Sequence, residues 1–113
     1  MSGELAARSE DLPEGGLLHA DVGGLPVCLA RVDGQVHALR DVCSHAEVQL
    51  SEGDLEDGAV ECWLHGSAFD LRTGEPSSLP AVDPVPVYAV EEVDGQLLVD
   101  TSRDVGAQRR GDA

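Results

Sequence analysis

The sequence contains no lysine, no isoleucine and no asparagine, and it has a single methionine, tryptophan, tyrosine and phenylalanine. All seven basic residues are arginine. The missing residue types depend on AT-rich codons, so part of this bias, and part of the acidity beside it, reads as a GC-rich coding style. Cations are scarce in absolute terms. Seven basic residues stand against 22 acidic ones, a formal net charge of −15, and phosphate backbones or anionic membrane surfaces would repel such a chain. No apolar run approaches the roughly 18 residues of a membrane-crossing helix. The stretch Met1–Leu5 lacks both a basic segment and an apolar core, so no secretory signal is expected and a cytoplasmic location is. Three cysteines, Cys28, Cys43 and Cys62, cannot make a complete disulfide framework. In a reducing compartment, regularly spaced cysteines are more often metal ligands or redox groups.

A chain of 113 residues supports one domain. Leu, Val and Phe make up about a quarter of it, above the level at which high charge would favour disorder. The first 14 residues are polar and acidic without a strong period, and they read as a loose leader. From Gly15 onward, short apolar runs alternate with turn signals. Leu17–Ala20 is followed by Gly23-Gly24, and Leu25–Val32 is separated from Gln35–Leu39 by Asp33-Gly34. Asp94-Gly95 stands between Val87–Val90 and Gln96–Val99, and Asp57-Gly58 precedes Ala59–Trp63. Asp-Gly between apolar runs favours a tight hairpin, because a type I′ turn needs positive φ at both central residues. No segment reads as an amphipathic helix of three or more turns. The expected architecture is all-β and antiparallel, a small barrel or sandwich spanning residues 15–101. Pro76, Pro80, Pro84 and Pro86 fall in one window, which predicts an extended loop leading into an edge strand. The polar stretch 102–113 reads as a disordered tail.

Two short groups carry the chemistry: Cys43-Ser44-His45 and, after sixteen intervening residues, Cys62-Trp63-Leu64-His65. Each couples a soft thiolate to an imidazole beside a predicted strand, so two neighbouring loops could close on one metal centre. Two Cys and two His fit a tetrahedral zinc site. They fit equally a two-iron two-sulfur cluster with both thiolates on one iron and both imidazoles on the other. Zinc pairs usually leave two to four residues between ligands, and the single residue between Cys43 and His45 is tight for that geometry. The crosswise order Cys, His, Cys, His suits unequal ligation of two irons, so spacing favours the iron–sulfur reading. A zinc-stabilised interaction module is the non-redox alternative.

These two boxes resemble the Rieske motif, Cys-x-His followed by Cys-x-x-His. The likeness continues through Gly66-Ser67, Phe69-Asp70 and Arg72-Thr73-Gly74 to Leu79-Pro80, and covers roughly Leu17 to Val99. The chain is most similar in pattern to the small Rieske ferredoxins of bacterial ring-hydroxylating dioxygenase systems. The resemblance implies a Rieske-type barrel or sandwich with a two-loop cluster-binding subdomain holding one 2Fe–2S cluster. It implies Cys43, His45, Cys62 and His65 as metal ligands, with histidine edges toward solvent, and a proline loop at Pro80 over a third side. It also implies one-electron carriage by a protein that is not itself an enzyme, with a flavin-dependent reductase as donor and a terminal oxygenase as acceptor. Roles beside iron–sulfur assembly or as a nitrite reductase small subunit share the same motif.

The departures from the wider family have consequences of their own. High-potential relatives carry an additional disulfide-bonded Cys in each box, and here those neighbourhoods have none. Such relatives place a Tyr hydroxyl where this chain has Phe69, while Ser67 remains a candidate donor. Hydrogen bonds to the sulfurs stabilise the reduced cluster, so losing one lowers the potential. Trp63 reads either as a shield or docking marker, or as simple packing. Cys28 reads as a buried structural thiol, and His19 and His37 as surface or satisfied core residues. Glu47, Glu52, Asp54, Glu56, Asp57 and Glu61 carry six negative charges with no base among them, a solvated face or a docking rim for a basic partner. The expected protein is monomeric, with no nucleic-acid or membrane partner.

Overall fold

The computed structural model describes residues 3–43, 48–63, 67–77 and 83–111. Nine strands and one short helix are formed among them: β1 (Glu4–Arg8), β2 (Leu17–Val22), β3 (Leu25–Val32), β4 (Gln35–Arg40), β5 (Asp54–Glu56), β6 (Ala59–Glu61), β7 (Ala68–Asp70), β8 (Val87–Val93), β9 (Gln96–Asp100) and α1 (Val105–Arg110). The larger sheet has the order β1-β9-β8-β4-β3-β2 and every pairing in it is antiparallel. Its two end strands, β1 and β2, also touch each other, so the sheet curls into a near-barrel. Between β4 and β8 the chain leaves this barrel to build a second antiparallel sheet, β5-β6-β7, and then returns beside its point of departure.

The Asp-Gly turns set the hairpin registers. Asp33, Asp57 and Asp94 all have φ near +50°, and Gly34, Gly58 and Gly95 follow with φ near +77°. That pair of left-handed residues matches the right-handed twist of the flanking strands. The register of β3 on β4 then follows, from Val32↔Gln35 through Val27↔Arg40.

Strand β3 shows how the two cores are made. Val27, Cys28, Leu29 and Ala30 are all buried. Successive side chains point to opposite faces of a strand. Val27 and Leu29 enter the barrel interior with Leu12, Val22, Ala38, Tyr88, Leu97 and Val99. Cys28 and Ala30 face the other way, into a core shared with Leu39, Leu50, Val60, Phe69, Leu71 and Val87. The second core joins the small sheet to the outside of the barrel, and Cys43 and Cys62 lie in it.

Three expectations need correction. The described part of the expected loose leader 1–14, residues 3–14, is not loose, because β1 pairs along β9 from Glu4↔Val99 to Arg8↔Gln96, with a bulge between Leu5 and Ala7. Leu12 is fully buried, and the Glu14 carboxylate accepts hydrogen bonds from the Asp33 and Gly34 amides. An irregular edge strand held by main-chain bonds leaves no periodicity to read. Nor is 102–113 a disordered tail throughout. Asp104 caps α1 by accepting from the Gly106 and Ala107 amides, Gly111 ends it at φ 85°, and Val105 enters the second core. The proline window does not lead into an edge strand either: β8 lies between β9 and β4. Pro84 and Pro86 stop short of the ladder, and the Pro86 carbonyl accepts the Arg40 amide at 2.9 Å, so no missing N–H falls inside β8.

Candidate metal centre

The two cysteine boxes sit on loops of matching construction. The Cys43 amide donates to the Val48 carbonyl at 2.9 Å, and the Cys62 amide donates to the Ser67 carbonyl at 2.6 Å. Each cysteine therefore opens a loop closed onto the fifth residue after it. Cys43 is 2% exposed and Cys62 is fully buried, with no disulfide among the described cysteines. β6 ends at Glu61, before the box, so Cys62 is not in the strand itself.

Three features hold the loops against each other. β5 follows the first box and pairs with β6, which leads into the second, with Asp54 opposite Glu61. Gly53 lies so near the Glu61 carbonyl that a Cβ there would collide with it. Phe69, fully buried on β7, packs in the same core as both cysteines. The proline-rich segment is tied down at both ends. Ser77 donates its amide to the Ala68 carbonyl at 2.8 Å and Pro76 bridges to Phe69. At the far end, Val85 donates to the Gly74 carbonyl at 2.9 Å. Both anchors lie on the strand and turn that follow the second box.

His45, His65 and Pro80 lie outside the described residues, as does Glu47. The structure thus brings Cys43, Cys62, Ser67 and Phe69 together in or beside one core. Ser67 is fully buried. Trp63, next to Cys62, is 53% exposed, which excludes simple core packing for it. Glu52, Asp54, Glu56 and Asp57 are exposed at and around the β5–β6 hairpin, and Glu56, Asp57, Glu61 and Asp70 line a groove of about 350 Å³ there.

The remaining candidate residues are resolved by their partners. Cys28 is buried, and desolvation, helped by the Asp41 charge, pushes its thiol pKa far up; it is inert. His37 is held below its ordinary value by burial and by the Arg109 charge. His19 is raised: the hydrogen bond to Asp41 favours its charged form over the opposing effect of burial, with the Asp41 and Asp21 charges adding to it. Sequence reasoning passed over Asp41 and Ser51. Asp41 is fully buried and accepts the Ser51 amide at 2.7 Å, the Ser51 hydroxyl at 2.5 Å and His19 Nδ1 at 2.6 Å. Its only local signal was its place two residues before Cys43, which does not distinguish it from any other acid in the chain.

Comparison with known proteins agrees with this geometry. A family model described as the Rieske [2Fe-2S] domain matches residues 4–89. The anthranilate 1,2-dioxygenase ferredoxin subunit of Burkholderia cepacia is 46% identical over 77 residues, covering 68% of this chain and 71% of that protein. The solved ferredoxin of carbazole 1,9a-dioxygenase from Nocardioides aromaticivorans IC177 superposes with a TM-score of 0.83 at 36% identity, over 88% of this chain and 97% of that one. A chain from a solved complex of reduced oxygenase and oxidised ferredoxin in carbazole 1,9a-dioxygenase superposes with a TM-score of 0.82 at 33% identity, over 90% and 95%.

Proposed function

The chain belongs to the Rieske [2Fe-2S] domain family, and from that premise we propose that it carries single electrons from a flavin-dependent reductase to the terminal oxygenase of an aromatic-ring dioxygenase system. It holds one Rieske-type 2Fe–2S cluster and is an electron carrier, not a catalyst acting on a substrate of its own. When bound, that group supplies a one-electron couple in which no substrate bond is made or broken.

The donor set suits the group. Cys43 and Cys62 would supply the thiolates to one iron, and His45 and His65 the imidazoles to the other. The observation that carries this assignment is the matched pair of buried cysteines, each opening a loop closed by the same amide-to-carbonyl bond, over one apolar core. That core keeps water from the thiolate side. With one ring nitrogen of each imidazole on iron, the other would be available for contact with a partner. Exposed Trp63 and the acids of the β5–β6 hairpin border the second loop and form the rim for a basic partner surface. Attraction of that kind speeds encounter and weakens with salt. A monomeric cytoplasmic protein accords with this reading.

Purified protein should be brown, contain two irons per chain and give an electron spin resonance signal after dithionite. His45→Ala and His65→Ala should each abolish that signal. Colourless protein holding zinc after growth with ample iron would overturn the assignment. Stopped-flow oxidation of the reduced protein by candidate oxygenases tests the acceptor, and transfer rates that do not fall with added salt would count against the acidic rim.

A further inference from the structure

Three elements that are distant in sequence meet at Asp41. Its carboxylate is fully buried, and its partners among the described residues are donors: the Ser51 amide on Oδ1, and the Ser51 hydroxyl and His19 Nδ1 on Oδ2. Its own amide donates to the Pro26 carbonyl at 3.0 Å. A buried carboxylate costs several kcal/mol unless geometry and hydrogen bonds compensate it. Here the compensation spans the Cys43 loop. Asp41 lies two residues before that cysteine, and Ser51 lies three residues after Val48, whose carbonyl closes the loop. The loop is thus closed twice, by main chain at Cys43–Val48 and by a side-chain bracket at Asp41–Ser51. His19 anchors the bracket from β2, and its ring is about one-third exposed, with Nε2 at 3.5 Å from Asp21.

The bracket also places charge. The Asp41 carboxylate is fully buried and lies only two residues before Cys43, which places its charge close along the chain to the first cysteine. A fixed negative charge disfavours adding an electron nearby. Interactions of this outer kind orient ligands and tune the potential of a metal site.

We propose that Asp41, bracketed by Ser51 and His19, is a positioning residue for the cluster, holding the Cys43 loop closed and lowering the reduction potential through its buried charge. This rests on the ligand assignment above. The wild-type iron content and spin-resonance signal test that assignment separately, before any variant is made.

The test uses holoprotein carrying Asp41→Asn, Asp41→Ala, Ser51→Ala or His19→Gln, with three readouts: midpoint potential, spin-resonance line positions and the rate of iron loss to a chelator. Asp41→Asn keeps the shape and removes the charge; its amide nitrogen can donate to the Ser51 hydroxyl and to a neutral His19 ring in place of accepting from them. It should raise the equilibrium constant for one-electron reduction at least threefold while iron loss stays near the wild-type rate. Asp41→Ala breaks the bracket and should lose iron at least fivefold faster. Ser51→Ala keeps the charge and loosens the bracket, and it should speed iron loss while shifting the potential less than Asp41→Asn. His19→Gln also loosens the bracket and should speed iron loss, but it removes the imidazolium that offsets Asp41, so its potential should not rise. If Asp41→Asn does not fold, the proposal stands or falls on Ser51→Ala and His19→Gln: unchanged iron loss in both would overturn it. Wild-type potential, line positions and iron loss in both Asp41 variants, with only the melting temperature lowered, would show a purely structural residue and overturn it too.

Discussion

Gly53 and Gly74 stand where the chain around the cluster has no room for a side chain. A Cβ on Gly53 would strike the Glu61 carbonyl, and one on Gly74 would strike the Val85 carbonyl. Gly74 is left-handed as well, with φ 78°. Gly34 has nearly the same φ, 77°, but open space around it. Gly34→Ala should therefore cost only the conformational term, about 1–2 kcal/mol. Gly74→Ala should cost clearly more, because backbone must also move; chemical denaturation of the two variants measures the difference. The two non-ligand histidines give opposite pH slopes. His19, raised by Asp41, contributes stability that is present below its unfolded pKa of 6.5 and is lost as pH rises through its higher folded value. His37, lowered by burial, favours the folded state above 6.5, and that contribution is lost as pH falls through its lower folded value. In melting curves against pH, His19→Gln should flatten the decline on the alkaline side and His37→Gln the decline on the acid side.

Among the elements, α1 does more than end the chain. Asp104 Oδ1 accepts the Val87 amide at 2.8 Å as well as the Gly106 amide at 2.9 Å, so a single carboxylate caps the helix and the start of β8 together. Arg109 and Arg110 donate to the Arg72 and Thr73 carbonyls, on the turn that follows the second cysteine box. The Gly106 position would place a Cβ against the Thr73 carbonyl, which shows how closely the helix lies on that turn. Burial works against the charged form of Asp104, but its bonds from Val87, Arg110 and Ala107 prevail and hold its pKa below the usual value. Losing a cap alone costs typically about 1 kcal/mol, and stranding the Val87 donor adds roughly 1–3 kcal/mol. Asp104→Ala should thus destabilise by about 2 kcal/mol or more in denaturant titrations. In the parent protein the contribution should fade as pH falls through about 3.8 and below. The start and stop signals of this helix were present in the sequence, in Asp104 at its beginning and in Gly111 and the arginine pair of the last turn at its end. Six residues with one buried apolar side chain are too few for a period, so the apolar pattern left them silent.

For the whole molecule, the insertion between β4 and β8 couples metal binding to folding. The small sheet has three strands of three residues each, too short to stand alone, and its apolar residues are buried against the barrel through the core that holds both cysteines. A group bound only by the folded state adds to its stability by mass action. Removing the iron should lower the melting temperature clearly, and equal melting of apo- and holoprotein would break this link. In the proposed site Phe69 would bring no hydroxyl to the centre and Asp41 would bring a negative charge. The midpoint potential should accordingly fall in the lower part of the roughly −150 to +300 mV span of Rieske centres.

Local chemistry decided much of this protein. Asp-Gly pairs can turn tightly whatever surrounds them, and alternating apolar residues must find a core, so the hairpins, the antiparallel sheet and the two cysteine boxes were all legible along the chain. The double burial of β3 could be read as a continuous apolar run, although not as two separate cores. Main-chain pairing at long range and charges that meet only in space leave no local trace. The seating of β1 on β9, the interior place of β8, the clasp of α1 and the meeting of His19, Asp41 and Ser51 were therefore decided by the tertiary structure alone. Each depends on groups far apart in sequence whose free energy is gained only once they are brought into contact and removed from water.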